Sequence, residues 1–218
     1  MRYRAVLFDL DGTLLDTLAD LADSANRVLA AENMPVHPIS SYKYFVGDGL
    51  HTLVERMVPA EQRDKKTIDR LAELFRLEYG KNWHLKSHPY SGVPEMLATV
   101  QKEDVRLAVL SNKPHEFTRL CVQRLLQGFS FYPVLGQRND VPKKPDPAGA
   151  LEVVNMLDIP PEDFLYLGDT AIDMQTATAA GMTAVGVLWG FRDEEELRSS
   201  GADYLLRHPG ELLELLPG

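Results

Sequence analysis

Five short apolar runs limit what this chain can fold into. They are RAVLFD at 4–9, VRLAVL at 105–110, a run at 132–135, FLYL at 164–167 and TAVGV at 183–187. None carries helical spacing, and consecutive apolar positions are what a strand needs when both of its faces are buried in a parallel sheet. Each run gives way to polar or glycine-bearing turn residues. Helical stretches at 92–101, 115–126, 147–157 and 172–180 separate the runs in the carboxy-terminal half. Strand and helix in alternation predict an α/β fold, a doubly wound, Rossmann-like parallel sheet.

The stretch 17–87 breaks the alternation. Leu18, Leu21, Ala22, Ala25, Val28, Leu29 and Ala30 form one helical stripe, Leu50, Leu53, Val54 and Met57 a second, and Ile68, Leu71, Leu74, Phe75 and Tyr79 a third. Stripes of this kind bury against one another, so they predict an inserted α-helical cap. The expected organisation is a catalytic core of residues 1–16 and 88–218 and a cap of residues 17–87, with junctions at Asp16/Thr17 and Ser87-His88-Pro89.

At 218 residues the chain has room for one such core and an insertion. A formal net charge of -9 opposes a general affinity for nucleic-acid backbone. No apolar run is long enough to span a membrane, and a lone cysteine, Cys121, has no internal disulfide partner, which fits a reducing cytoplasm. Cys121 lies among Leu120, Val122 and Leu125, where a buried apolar role is expected. Amphipathic cap helices serve a monomer or a homodimer equally well.

The polar residues that carry chemistry fall at the strand ends, where open parallel sheets bind ligands. Asp9 and Asp11 stand two apart in DLDGT, with Gly12 and Thr13 behind them, so the backbone can turn tightly and present amides to an anion. One carboxylate can attack while the other handles a proton. Ser111 and Asn112 follow VRLAVL and offer a hydroxyl and a backbone amide to phosphate oxygens. Lys144 lies in KKPDP, stiffened by prolines. Asp169 and Asp173 are four apart in GDTAID at the start of a helix, on one face, suited to a hard cation. In the cap, Gly47, Asp48 and Gly49 open a helix whose first amides can face a small anion, with Lys43 and His51 as companions. Trp189, Phe191 and Arg192 follow the last strong strand, and the expectation there is an aromatic anchor packing the loop.

FDLDGT at 8–13, SN at 111–112, Lys144 and GDTAID at 168–173 resemble the motifs of the haloacid dehalogenase-like hydrolases. The likeness spans essentially the whole chain. VGDGL at 46–50, SNK at 111–113, KPDP and the tail VLWGFRDEEELRSSGADYLL are similar to the phosphoglycolate phosphatase branch. The resemblance implies Asp9 as nucleophile, Asp11 as general acid and base, and Ser111, Asn112 and Lys144 as phosphate ligands. It also implies Mg²⁺ held by the carboxylates of Asp9 and Asp169 and the main-chain carbonyl of Asp11, with Thr13 and Asp173 in support. The expected partner is a small phosphorylated metabolite, phosphoglycolate first. A pyrophosphatase, a sugar-phosphate phosphomutase and a catalytically silent binding protein are the alternatives on the same fold.

Overall fold

The computed structural model describes residues 3–216; residues 1–2 and 217–218 of the expected core lie outside the described residues. The chain enters through β1 (Ala5–Phe8), a short β2 (Leu15–Asp16) and four helices, α1 (Leu18–Ala31), α2 (Ile39–Phe45), α3 (Leu50–Met57) and α4 (Lys65–Asn82). It returns through β3 (His88–Pro89), α5 (Val93–Val100), β4 (Arg106–Pro114), α6 (His115–Leu125), β5 (Val134–Gln137) and α7 (Ala148–Leu157). The last part contains β6 (Phe164–Gly168), α8 (Ala171–Ala180), β7 (Thr183–Val187), α9 (Glu194–Ser199), β8 (Tyr204–Leu206) and α10 (Leu212–Leu215).

The main sheet has the order β5-β4-β1-β6-β7-β8, and every neighbouring pair in it is parallel. β1 is central, and the chain winds to one side of it through β4 and β5 before crossing to β6. That reversal opens a crevice beyond the carboxyl end of β1. Period-two alternation divides β1 between two cores. Val6 and Phe8 pack with Val93, Leu97 and Phe117, whereas Ala5 and Leu7 pack with Ala150, Val153, Met174 and Ala177.

The four helices between β2 and β3 form a separate layer in which α1 packs on α4 and α3 on α4. Most of their stripe residues are buried as the spacing predicts, with Leu21, Ala25 and Leu29 of α1 and Leu71 and Phe75 of α4 in one apolar cluster, whereas Ala30 is exposed and Leu50 and Leu74 are half-buried. Asp64 caps α4 by accepting from the Thr67 amide (3.0 Å) and hydroxyl (2.7 Å). Where the chain leaves and rejoins the sheet, β2 pairs antiparallel with β3, Leu15 opposite Pro89 and Asp16 opposite His88. Asp20 of α1 is buried beside this pair and accepts from the Lys86 and Ser87 amides and the Ser87 hydroxyl.

Several elements differ from expectation, the two-residue strands β2 and β3 among them. The third run shifts to Val134–Gln137, because the chain at Pro133 has no N–H to donate. β4 continues past Leu110 to Pro114, but its register with β5 shifts between Leu110 and Pro114, so Ser111 to Lys113 leave the regular ladder. β8 is a three-residue edge strand and carried no recognisable run.

Candidate active site

Asp9 directly follows β1, and its N–H donates to the Leu167 carbonyl of β6 (2.8 Å), which fixes the carboxylate over the crevice. Lys144 reaches it from the loop before α7. The ammonium donates to Asp9 Oδ1 (2.9 Å), Asp173 Oδ1 (2.7 Å) and the Leu110 carbonyl (3.2 Å). Burial alone would pull the lysine down, but Asp173 and Asp9 outweigh it and hold the ammonium well above the usual lysine range. Asp173 is also fastened at Oδ2 by the Thr170 amide (3.1 Å) and hydroxyl (2.7 Å). Its two oxygens therefore position Lys144 and close the start of α8.

Asp169 completes the acidic group. It accepts from the Thr13 hydroxyl (3.1 Å) and from the Phe191 amide (2.9 Å). The loop around Gly12 approaches so closely that a Cβ there would stand 2.2 Å from Asp169 Oδ2, so glycine is required by contact. Gly190 presses on Asp169 from the other side, and a Cβ there would stand 2.3 Å from the Asp169 Cβ and 2.4 Å from the Gly12 carbonyl. Trp189 ties the same loop down, donating from Nε1 to the Thr13 carbonyl (2.9 Å). The loop after β7 thus does more than pack: its backbone amide holds a carboxylate of the site.

Carboxylate oxygens of Asp9, Asp169 and Asp173 lie within 4.8 Å of one another, all three residues buried. Burial raises Asp9 to about 6; the Lys144 ammonium opposes this, while Asp173 and Asp11 add to it. Asp169 is raised well above the carboxylate range by burial and then by Asp173 and Asp9. One ammonium among three buried carboxylates leaves a charge deficit. A hard divalent cation would fill it, and the oxygen donors suit such an ion.

Asp11 stands at the pocket side of Asp9 and is held from two directions. The Thr17 hydroxyl donates to its Oδ1 (2.7 Å), and the Lys113 ammonium lies 3.0 Å from both oxygens. Lys113 is only 3% exposed. Its ammonium also donates to the Tyr79 hydroxyl (2.8 Å) and sits 4.7 Å from that ring's centroid. Burial opposes the charge on Lys113, yet Asp11 and Tyr79 more than offset it and raise the group above its ordinary value. Neither Lys113 nor Tyr79 was singled out from sequence as a site residue; a lysine directly after SN, on the strand's irregular end, was the available signal.

Ser111 is buried at the pocket wall beside Asp9. The Asn112 carboxamide is turned away from any anion: Nδ2 donates to the Lys144 (3.1 Å) and Gly47 (3.1 Å) carbonyls, and Oδ1 accepts from the Lys144 amide (2.9 Å). It braces the Lys144 loop and joins it to the helical layer.

The crevice continues into a pocket, partly open to solvent, between the sheet and the helices. Gly47 and Gly49 line it, with an apolar wall that includes Leu21, Leu50, Leu53 and Phe75. The other expected cap residues lie elsewhere. Lys43 is exposed on α2, and its carbonyl accepts from the Arg192 guanidinium, which also lies over the Tyr44 ring (5.2 Å). His51 faces outward beside Asp69 (3.5 Å), and Asp48 pairs with Arg56 (2.6 Å). Cys121 is fully buried, and burial pushes its thiol up to about 11, consistent with packing.

Comparison with known proteins agrees with this geometry. The haloacid dehalogenase-like hydrolase model matches residues 6–187. A phosphoglycolate phosphatase of Pseudomonas putida is 32% identical over 99% of this chain and 79% of its own. An N-acetylmuramic acid 6-phosphate phosphatase of Pseudomonas aeruginosa is 31% identical over 99% and 96%. Among solved structures, a protein of Lactobacillus delbrueckii subsp. bulgaricus provisionally named phosphoglycolate phosphatase superposes with a TM-score of 0.92 at 30% identity, over 100% of both chains. The family match over most of the chain, together with Asp9, Lys144 and Asp169 gathered at the carboxyl end of the sheet, identifies this protein as a member of the haloacid dehalogenase-like hydrolases.

Proposed function

We propose that this protein is a Mg²⁺-dependent phosphatase that hydrolyses a small phosphate monoester, phosphoglycolate first among them, through an aspartyl phosphate on Asp9. The observation that carries it is the placement of Asp9: buried at a strand end, beside Lys144 at 2.9 Å and next to a pocket whose near wall holds Asp11 and Ser111. The curated relatives named above act on phosphate monoesters by their names, which supports the class and leaves the leaving group to experiment.

The chain's own groups divide the chemistry. Asp9 attacks phosphorus, the bond to the leaving oxygen breaks, and Asp11 donates a proton to that oxygen. In the second half-reaction Asp11 takes a proton from water as the water attacks phosphorus, which releases phosphate and restores the Asp9 carboxylate. Lys144, the Ser111 hydroxyl and amides at the strand ends offset the charge on the phosphoryl oxygens. Asp9, Asp169 and the Asp11 carbonyl would hold Mg²⁺, with Asp173 and Thr13 supporting them. That ion supplies charge neutralisation between the carboxylates and a phosphate dianion. Residues 17–87 act as the cap over the core of residues 1–16 and 88–218; the Asn112–Gly47 bond and the Lys143 ammonium on the Asp48 carbonyl (2.7 Å) support a closed resting position. The lone buried thiol and the absence, among the described residues, of a helix long and apolar enough to cross a membrane favour a cytoplasmic setting.

Phosphate release from a panel of small phosphate esters, with Mg²⁺ and then with chelator, tests the proposal. Metal-dependent release from at least one monoester is expected. Release of equal rate after exhaustive chelation, or none from any ester with Mg²⁺ present, would refute it.

A further inference from the structure

We propose that Lys113, seated by Tyr79, is the specificity-determining residue that pairs with a carboxylate on the leaving alcohol, so that the site prefers phosphate esters of α-hydroxy acids. This preference rests on the phosphatase activity proposed above.

The pocket poses the question by its composition. Its wall is largely apolar, and a lysine ammonium buried to 3% exposure in such a wall is costly unless anions meet it. Among the described residues that line it, the cationic side chains are Lys113 and Arg76. Arg76 is committed at the rim, to Glu73 (2.9 Å) and Glu116 (3.1 Å). Lys43 and His51 do not line the pocket at all. Lys113 is itself paired with Asp11 and Tyr79, but it is buried beside the reacting centre whereas Arg76 is solvated, so it is the cation that an anionic leaving group meets there.

Distance selects the kind of anion. Asp11 is the group assigned to the leaving oxygen, and the Lys113 ammonium lies 3.0 Å from both of its carboxylate oxygens. A carboxylate on the carbon next to the leaving oxygen has its own oxygens about 3 Å from that oxygen, one hydrogen-bond length. Such an ester can reach Asp11 with its leaving oxygen and Lys113 with its carboxylate. A neutral alcohol of the same size leaves the ammonium with only the protein's own partners. Tyr79 limits where that ammonium can go: its hydroxyl accepts at 2.8 Å, its ring lies 4.7 Å from Nζ, and the ring is itself held by stacking on Phe75 of the same helix (5.5 Å between centroids).

The test compares phosphoglycolate with hydroxyethyl phosphate, which shares the phosphate and the leaving CH₂–O but lacks the carboxylate. The wild-type protein should favour phosphoglycolate in kcat/KM by roughly tenfold to a hundredfold, the worth of one charge-assisted hydrogen bond. In Lys113→Met both esters lose whatever Asp11 loses, and the ratio isolates the carboxylate. That ratio should fall to within about threefold of unity, mainly through KM for phosphoglycolate. An unchanged ratio would overturn the proposal and leave Lys113 as a support for Asp11 alone. Tyr79→Phe keeps the ring and removes the hydroxyl, and should lower the ratio part of the way. If Lys113→Met fails to fold, an unchanged ratio in Tyr79→Phe overturns the proposal instead. Calorimetric binding of the two esters to Asp9→Asn with Mg²⁺ separates this from the broader activity. If the wild-type protein released phosphate from no ester, the phosphatase proposal would fail, whereas the affinities in that assay would still decide the pairing: tighter binding of phosphoglycolate supports it, and equal affinity overturns it.

Discussion

Replacing Gly190 by alanine probes the site through contact alone. The added Cβ would lie 2.3 Å from the Asp169 Cβ, 2.4 Å from the Gly12 carbonyl oxygen and 2.6 Å from Asp169 Oδ2. Ordinary contact is about 3.5 to 4.0 Å between carbons, so Asp169 and the Gly12 loop must separate from residue 190 by roughly 1 Å. Two of these atoms belong to backbone or sit next to it, so rotation of a flexible side chain does not relieve the clash. Overpacking of this size costs about 1 to 3 kcal/mol of stability. The move also pulls Asp169 from the Phe191 amide that holds it at 2.9 Å, and misplacement of about 1 Å at a reacting centre can cost on the order of a hundredfold in rate. Gly128→Ala is the control. There the new Cβ meets nothing within 4 Å, and only the left-handed φ of +91° opposes it, at about 1 to 2 kcal/mol. Thermal melts should show both variants folded and less stable, whereas Mg²⁺ titrations of turnover should show a raised half-saturation and a large fall in kcat/KM for Gly190→Ala only. A Gly190→Ala protein with wild-type Mg²⁺ half-saturation and turnover would refute the reasoning that links this contact to the acidic group.

Asp9→Asn should retain the wild-type fold by circular dichroism and show no turnover above background; measurable activity in that folded variant would remove Asp9 as nucleophile. Asp11→Asn should slow an alkyl phosphate far more than p-nitrophenyl phosphate, whose leaving group departs without a proton, and equal slowing of both would reduce Asp11 to a shaping role. In the metal-free protein burial raises Asp9 to about 6 from the ordinary aspartate value of 3.8. Its folded form therefore binds the proton more tightly, and its contribution to stability is fully present below about pH 4 and lost as pH rises through about 6. With chelator present, Asp9→Asn should melt above the wild-type protein by a margin that grows across that window; a margin independent of pH would count against it. Lys43→Ala and His51→Ala should leave KM for every ester close to wild type, since neither side chain lines the pocket, and a severalfold rise measured in the phosphate-release assay would bring them back into substrate recognition.

Local pattern made the fold largely legible in the sequence. Strands buried on both faces must be apolar at successive positions, so RAVLF, FLYL and TAVGV announced a parallel sheet, and the residues that follow each run had to stand at its carboxyl edge. Helical stripes in residues 17–87 announced a layer that buries its faces internally. What escaped was short or irregular: β8 is three residues at an edge, and β2 and β3 are two each, too few to show a period. The candidate site divides in the same way. Asp9 and Asp169 could be located because each is the residue just past a strand, a local fact. The partners that give them their properties come from elsewhere in the chain, and no local period encodes them. Lys113 meets Asp11 across 102 positions, and Lys144 meets Asp9 across 135. Trp189 meets Thr13 across 176 positions, and the Phe191 amide reaches Asp169 from the next loop. Tertiary structure alone turned the Asn112 carboxamide away from the crevice and left Lys43 and His51 on the surface. Residue type and spacing settle which groups stand at the ends of strands; only the packing of distant segments determines which of those groups face one another, because burial and charge pairing act through space and not along the chain.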